Sequence, residues 1–183
     1  MPGRGDRQQS RASVASLERG IDARILDARA LGFEDEFDAI FSNTILHWIT
    51  DADLALQQIR KALVPGGRLV AEFGGARCVW AIRNSLGTAL SRRGIDSSHV
   101  NPWYFPTGDE YRARLEAHGF HVDMLSVFPR PTPLPSDITL WLEIFEKSFL
   151  ETVTKSERPQ LLTEVRELLE PVLRTAEGVW VAD

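Results

Sequence analysis

At 183 residues, with 43% apolar and 26% charged side chains, the chain has the make-up of one globular domain and implies neither a disordered polymer nor a membrane span. A formal net charge of -5 argues against a nucleic-acid partner, and the single cysteine, Cys78, excludes a disulfide framework and a thiolate metal cluster. The start carries Arg4, Arg7 and Arg11 but no apolar run follows, so it does not read as a secretory signal, and a cytoplasmic protein is expected.

Helical and strand patterns alternate along the chain. Residues 13–19 read as a short helix with Val14 and Leu17 on one face, stopped by Gly20. Ala23, Ile25 and Leu26 make 22–28 a strand, and Ala39, Ile40 and Phe41 make 38–42 another, ending abruptly in Ser42 and Asn43. Asp51 caps a helix whose Ala52, Leu56, Ile59 and Leu63 recur at helical spacing. Pro65-Gly66-Gly67 stops it, because proline cannot continue the helix and glycine takes the left-handed turn.

Residues 68–73 form the next strand, and 79–93 a helix with Val79, Ile82, Leu86 and Leu90 on one side. An aromatic loop over 101–106 leads to Thr107 and Glu110, spaced as a capping box, and to a helix ending at Gly119. A fourth strand is expected over 121–128. The proline-rich run 130–135 suits neither a helix nor a central strand, since proline lacks the amide donor. Two amphipathic helices close the chain. One starts at Ser136, with Ile138, Trp141, Leu142, Phe145 and Phe149 as its stripe; the other starts at Pro159 and carries Leu162, Val165, Leu169 and Leu173, with a kink expected at Pro171. Strand-helix alternation of this kind favours an α/β architecture with a parallel sheet.

Several residues carry chemistry, each with a plainer alternative. In open parallel sheets ligands sit beyond the carboxyl ends of strands, where Ser42 and Asn43 stand, although Asn43 would also satisfy backbone groups after a strand. Asp27 either accepts a hydrogen bond from a ligand amine or shapes a turn. His47 titrates near neutrality and is a weak candidate for a general base, or else a pocket wall. Trp48 offers a face to a cation or sits in the core. Trp103, Tyr104 and Phe105 cover an acceptor site or plug the sheet end. Arg83 or Arg130 would pair with an acidic substrate or stay solvated. His118 and His121 lack a third metal ligand, so no metal is expected.

Asp27-Ala28, the block from Phe37 to Asn43, Leu46-His47-Trp48, and the run from Pro65 to Gly75 together resemble the class I S-adenosylmethionine-dependent methyltransferases, closest to the small-molecule group that includes trans-aconitate methyltransferase. The segment 130–134 with Trp141-Leu142 fits the same group, and the likeness runs from about residue 13 onwards. It implies a Rossmann-like, mostly parallel sheet with flanking helices. Residues 13–75 would supply cofactor-side strands and helices, and 76–183 the acceptor-side helices and sixth strand, with 1–12 a disordered or unrelated leader.

The resemblance assigns Asp27, Ala28, Ser42, Asn43, Leu46 and His47 to S-adenosyl-L-methionine, and Trp48, Trp103, Tyr104 and Phe105 to the acceptor pocket. It implies methyl transfer to a small carboxylate or hydroxyl acceptor, with no nucleic-acid or membrane partner. The family's first two strands, with their glycine-rich turn, and most of its last strand are not found in the pattern. On that ground a truncated fold of marginal stability and poor cofactor affinity is expected. An inactive remnant, or a subunit whose open sheet edges a partner chain completes, is the alternative.

Overall fold

The structure is a computed structural model that describes residues 19–182. The described residues form two compact units, one of 19–41 with Asp51–Val70 and the other of Ser42–Thr50 with 71–182. The helix expected over 13–19 lies outside the described residues, apart from Arg19, which is in a turn.

Strands β1 (Phe37–Asn43) and β2 (Leu63–Glu72) form a two-stranded sheet and are joined through helix α1 (Ala52–Ala62). The Glu36 amide donates to the Ala62 carbonyl at 3.0 Å, and the Thr44 amide to that of Glu72 at 2.8 Å. The partners advance in the same direction, so the pair is parallel and makes the expected strand-helix-strand unit. Both strands begin in the first unit and end in the second.

In the first unit, Asp51 caps α1 by accepting from the Leu54 amide. Asp53 in the first turn and Arg60 and Lys61 in the last complement the helix dipole. Ala52, Ala55, Leu56, Ile59 and Ala62 are buried, a stripe at helical spacing. β2 starts earlier than expected, at Leu63, and runs through Pro65-Gly66-Gly67, with Gly66 left-handed at φ 80°. Gly67 is held to glycine by packing: an added Cβ would lie 3.0 Å from the Val64 carbonyl and 3.1 Å from that of Phe37.

Two expected strands are absent. Residues 22–28 and 121–128 are irregular. A strand persists by pairing, and among the described residues neither segment has a partner strand. Ile25, Leu26, Met124, Val127 and Phe128 are accordingly exposed. The sheet is therefore a parallel pair plus one short antiparallel pair, β3 (Thr132–Pro133) with β4 (Val181–Ala182). That second pair places the proline-rich run at a sheet edge, where a missing amide donor is tolerated.

The second unit is built on helices α2 (Trp80–Ser91), α3 (Gly108–Ala117), α4 (Ile138–Phe145), α5 (Lys147–Leu150) and α6 (Arg158–Leu173). Ile82, Leu86, Ala89 and Leu90 of α2, Ile138 and Leu142 of α4, and Leu161, Val165 and Leu169 of α6 are fully buried in one cluster. Thr107 and Glu110 form the capping box at α3. The single helix expected from residue 136 is broken: α4 ends at Phe145 and α5 begins at Lys147, with Glu146 between them at φ -105° and ψ 29°. Asp137 caps α4 and also accepts from Arg166 and from the Trp180 indole, tying α4, α6 and the strand end together.

Candidate active site

The loop leaving β1 turns sharply. Thr44 takes a left-handed φ of 57°, and its amide is held by the Glu72 carbonyl at the end of β2. A 3-10 turn, Leu46–Trp48, follows, with Leu46 buried beneath it. Across the sheet end, Val79 is also left-handed (φ 47°) just before α2. Left-handed β-branched residues are strained and persist only where surrounding structure imposes them. Both flank the segments that follow the carboxyl ends of β1 and β2, where open parallel sheets bind ligands.

His47 links those segments. The Gly74 amide donates to His47 Nδ1 at 3.1 Å, and the Tyr104 amide donates to the His47 carbonyl at 2.8 Å. Because Nδ1 accepts, the neutral ring carries its proton on Nε2 and offers a donor there, so the general-base role gains no support. Burial holds the His47 pKa below its ordinary value, in keeping with a neutral ring. Gly74 admits no side chain: an added Cβ would lie 2.6 Å from Phe105 Cε1 and 2.8 Å from Cys78 Sγ.

Around His47 stands a cluster of rings. Trp48 lies 5.4 Å from His47, 5.6 Å from Trp103 and 6.4 Å, stacked, from Phe145. Phe105 lies 5.6 Å from His47 and 5.3 Å from Trp103, and Trp141 lies 4.9 Å from Phe145. Trp103 is buried, whereas Trp48 is 42% exposed, so Trp48 is no core tryptophan. Tyr104 points to a different neighbour, with the Arg114 guanidinium 5.4 Å from its ring centroid.

One further group in this unit leaves no mark in the sequence pattern. Glu146, at the break between α4 and α5, is fully buried, and neither carboxyl oxygen has a hydrogen-bond partner among the described residues. Burial pushes its pKa up to about 8, with the Arg83 guanidinium opposing the shift. Arg83 itself lies over the Phe105 ring at 5.7 Å. A glutamate within an amphipathic pattern reads as a solvated face, which is why it escaped notice.

Ser42, Asn43, Leu46, His47, Trp48, Trp103, Tyr104 and Phe105 all fall in the second unit; Asp27 and Ala28 fall in the first. Asp27 ends no strand. Its carboxylate accepts from the Arg29 amide at 2.9 Å and from the guanidinium at 2.7 Å, which lowers its pKa to about 2. That is the geometry of a turn-forming aspartate. His121 is exposed and lies 3.4 Å from Asp123. No cluster of three or more His, Cys, Asp or Glu suited to a metal occurs among the described residues, nor does any helix among them have the length and apolarity to cross a membrane.

Comparison with known proteins agrees with this geometry. The methyltransferase-domain family matches residues 5–71. An uncharacterised methyltransferase of Schizosaccharomyces pombe is 33% identical over 148 residues, covering 74% of this chain and 56% of its own length. The mitochondrial arginine-hydroxylase NDUFAF5 of Danio rerio is 35% identical over 71 residues, 38% of this chain and 22% of that protein. A malonyl-[acyl-carrier protein] O-methyltransferase of Methylococcus capsulatus is 31% identical over 127 residues, 68% of this chain and 43% of that enzyme. Among solved structures, a candidate methyltransferase from Bacillus halodurans superimposes with a TM-score of 0.56 at 14% identity, over 95% of this chain and 73% of that one, a likeness of fold.

Residues 5–71 thus match the methyltransferase-domain family, and the chain has the fold of a class I S-adenosylmethionine-dependent methyltransferase. It spans about half the length, or less, of the curated relatives it matches.

Proposed function

We propose that this chain takes part in S-adenosylmethionine-dependent methyl transfer to a small acceptor bearing a carboxylate or hydroxyl. The observation that carries the reading is the His47–Gly74 hydrogen bond, which ties the aromatic segment after β1 to the segment after β2, beyond the carboxyl ends of a parallel strand pair. When bound, S-adenosylmethionine supplies a methyl group already activated by its sulfonium, so the protein's task is chiefly positioning. Trp48 is partly exposed, and an indole ring suits a sulfonium cation.

In this reading Ser42, Asn43 and Leu46 line the cofactor side, and His47 orients a ligand oxygen by donating from Nε2. Trp48, Trp103 and Phe105 exclude water from the acceptor. The O-methyltransferase relative supports an oxygen acceptor, as does the resemblance to the trans-aconitate group. The test is transfer of labelled methyl from S-adenosylmethionine to a panel of small carboxylic acids and alcohols. Transfer above the protein-free background, lost in Trp48→Ala, supports the reading. Absence of transfer by a folded chain would leave the inactive remnant or the partner-completed subunit.

One observation favours a second reading. The 71-residue likeness to the arginine-hydroxylase would put a protein side chain beside the same segments. Mass spectrometry of an arginine-rich peptide incubated with the chain, S-adenosylmethionine, dioxygen and a two-electron reductant separates the two, by a gain of one oxygen atom (the other leaving as water) or of methyl.

A further inference from the structure

A hydrogen bond from a main-chain amide to an imidazole nitrogen exists in one protonation state of the ring and is lost in the other. The Gly74 amide donates to His47 Nδ1 at 3.1 Å. An imidazolium carries protons on both nitrogens and has no acceptor to offer, so protonation sets two N–H groups against each other at this point. The bond joins the loop after β1 to residues 74–79, the stretch that leads from β2 to α2.

That stretch has the make-up of a segment able to move. Gly74 and Gly75 open it, and its internal main-chain bonds are short turns, Cys78 amide to Gly75 carbonyl at 2.9 Å and Trp80 amide to Arg77 carbonyl at 3.2 Å. It ends on Val79, whose left-handed φ of 47° is costly for a β-branched residue and persists only where neighbours impose it. His47 is held from the other side, since its carbonyl accepts from the Tyr104 amide at 2.8 Å and its ring lies 5.6 Å from Phe105. Losing the bond therefore frees 74–79 rather than the histidine.

The charged surroundings do not favour a charged ring. On the segment after β2, Glu72 is held by Arg130, Arg77 is exposed, and Cys78 adjoins Gly74. Arg83 of α2 stands over Phe105, and Tyr104 lies beneath Arg114 of α3. Glu146 follows Phe145, which stacks on Trp48. Burial is the one cause that shifts the His47 pKa, and it does so downwards.

We propose that the His47–Gly74 bond is an acid-released latch: neutral His47 holds residues 74–79 against the loop after β1, and protonation of the ring lets them go and weakens ligand binding there. The proposal deepens the function inferred above, by adding regulation, and rests on it for the ligand. Ring Nε2 carries a proton in both states, so its donation to a ligand oxygen survives protonation, and the loss on acidification arises at Nδ1. Were the charge on the ring to dominate instead, binding of an anionic ligand would strengthen in acid. The two mechanisms differ in sign.

The test is a nuclear magnetic resonance titration of the isotope-labelled chain from pH 7.5 to pH 5, with a melt at each end to show that it stays folded. The His47 ring is expected as the Nε2–H tautomer at pH 7.5, with a protonation midpoint below 6.5. The Gly74 amide shift should follow the same midpoint. Its exchange protection, corrected for the intrinsic rate at each pH, should fall at least about fivefold, the effect of leaving a part-buried donor without an acceptor. His47→Asn places an oxygen that does not titrate near the Nδ1 position, so Gly74 should stay protected throughout. His47→Phe offers no acceptor and should leave Gly74 unprotected at every pH. A Gly74 amide that does not titrate with the ring, or that titrates alike in His47→Asn, would overturn the latch.

Calorimetric titration with S-adenosylhomocysteine at pH 7.5 and pH 5.5 tests its consequence. Affinity should be at least about fivefold weaker at the lower pH in wild type and flat in His47→Asn; equal or stronger binding in acid by wild type would overturn the proposal. The spectra read the bond without ligand, so the two readings fail separately. A Gly74 amide that titrates with the ring in a chain that binds no S-adenosylhomocysteine at either pH refutes the cofactor reading and upholds the bond's release. Binding with a Gly74 amide that ignores the ring refutes the latch alone.

Discussion

Glu146 sets the chain's expected response to pH. Its folded pKa of about 8 stands above the ordinary glutamate value of 4.5. The folded state therefore binds the proton more tightly than the unfolded chain. Stability is full below about pH 4.5 and declines as pH rises towards 8, by an amount on the order of a few kcal/mol. Glu146→Gln should abolish that decline, and a melt at pH 8.5 should show the variant more stable than wild type. Equal melting temperatures at pH 5.5 and pH 8.5 in both proteins would contradict the burial argument. His47 acts in the opposite sense. Its lowered pKa means the unfolded chain protonates first, so its contribution is present above about pH 6.5 and is lost as pH falls below that value. His47→Gln should flatten this acid-side loss, which melts between pH 5 and pH 7 would reveal.

The residue scale also shows what a sequence discloses and what it hides. Asp51 and the Thr107–Glu110 box were legible because capping depends on short-range spacing along the chain. Ser42, His47, Trp48, Trp103 and Phe105 are expected as a group from the family resemblance, and the structure places them in one unit. Glu146 was not legible, since its burial arises from a helix break and from α2 packing, and neither leaves a local pattern. The exposure of Trp48 was hidden for the same reason: an aromatic residue says nothing of which rings will surround it.

At the scale of elements, periodicity named α1, α2 and α6 within a few residues, because each buries a stripe its spacing encodes, whereas the Thr107–Glu110 box and Gly119 bounded α3, which buries only Tyr111. Strands fared worse. An apolar run becomes a strand only when another strand accepts its hydrogen bonds, and 22–28 and 121–128 have no such partner among the described residues. The helical elements should respond to substitution in graded ways. Thr107→Ala removes the α3 cap and should cost about 0.5–2 kcal/mol in urea unfolding. Leu86→Ala, at a fully buried position on α2, should cost about 2–5 kcal/mol. Trp180 is held by the Asp137 carboxylate at 3.2 Å and lies between Arg166 and Arg174, at 5.4 and 5.8 Å, so it anchors the chain beside β4. A Leu86→Ala cost no larger than that of Thr107→Ala would mean that the α2 stripe is not the core it appears in the contact pattern.

For the whole molecule, the two units carry different burdens. The first is a strand-helix-strand unit whose sheet residues Phe41 and Val70 remain exposed, although parallel sheets are ordinarily covered on both faces. The second holds the helical core, the ring cluster, Arg83 and Glu146. The account rests on the second unit bearing a ligand site at the end of the sheet. The most direct test is a calorimetric titration of the chain with S-adenosylhomocysteine, beside Trp48→Ala with its melt confirmed. The account predicts saturable single-site binding, with a dissociation constant on the order of millimolar, that weakens at least about tenfold in the variant. No saturable binding, or equal binding by the two proteins, would contradict it.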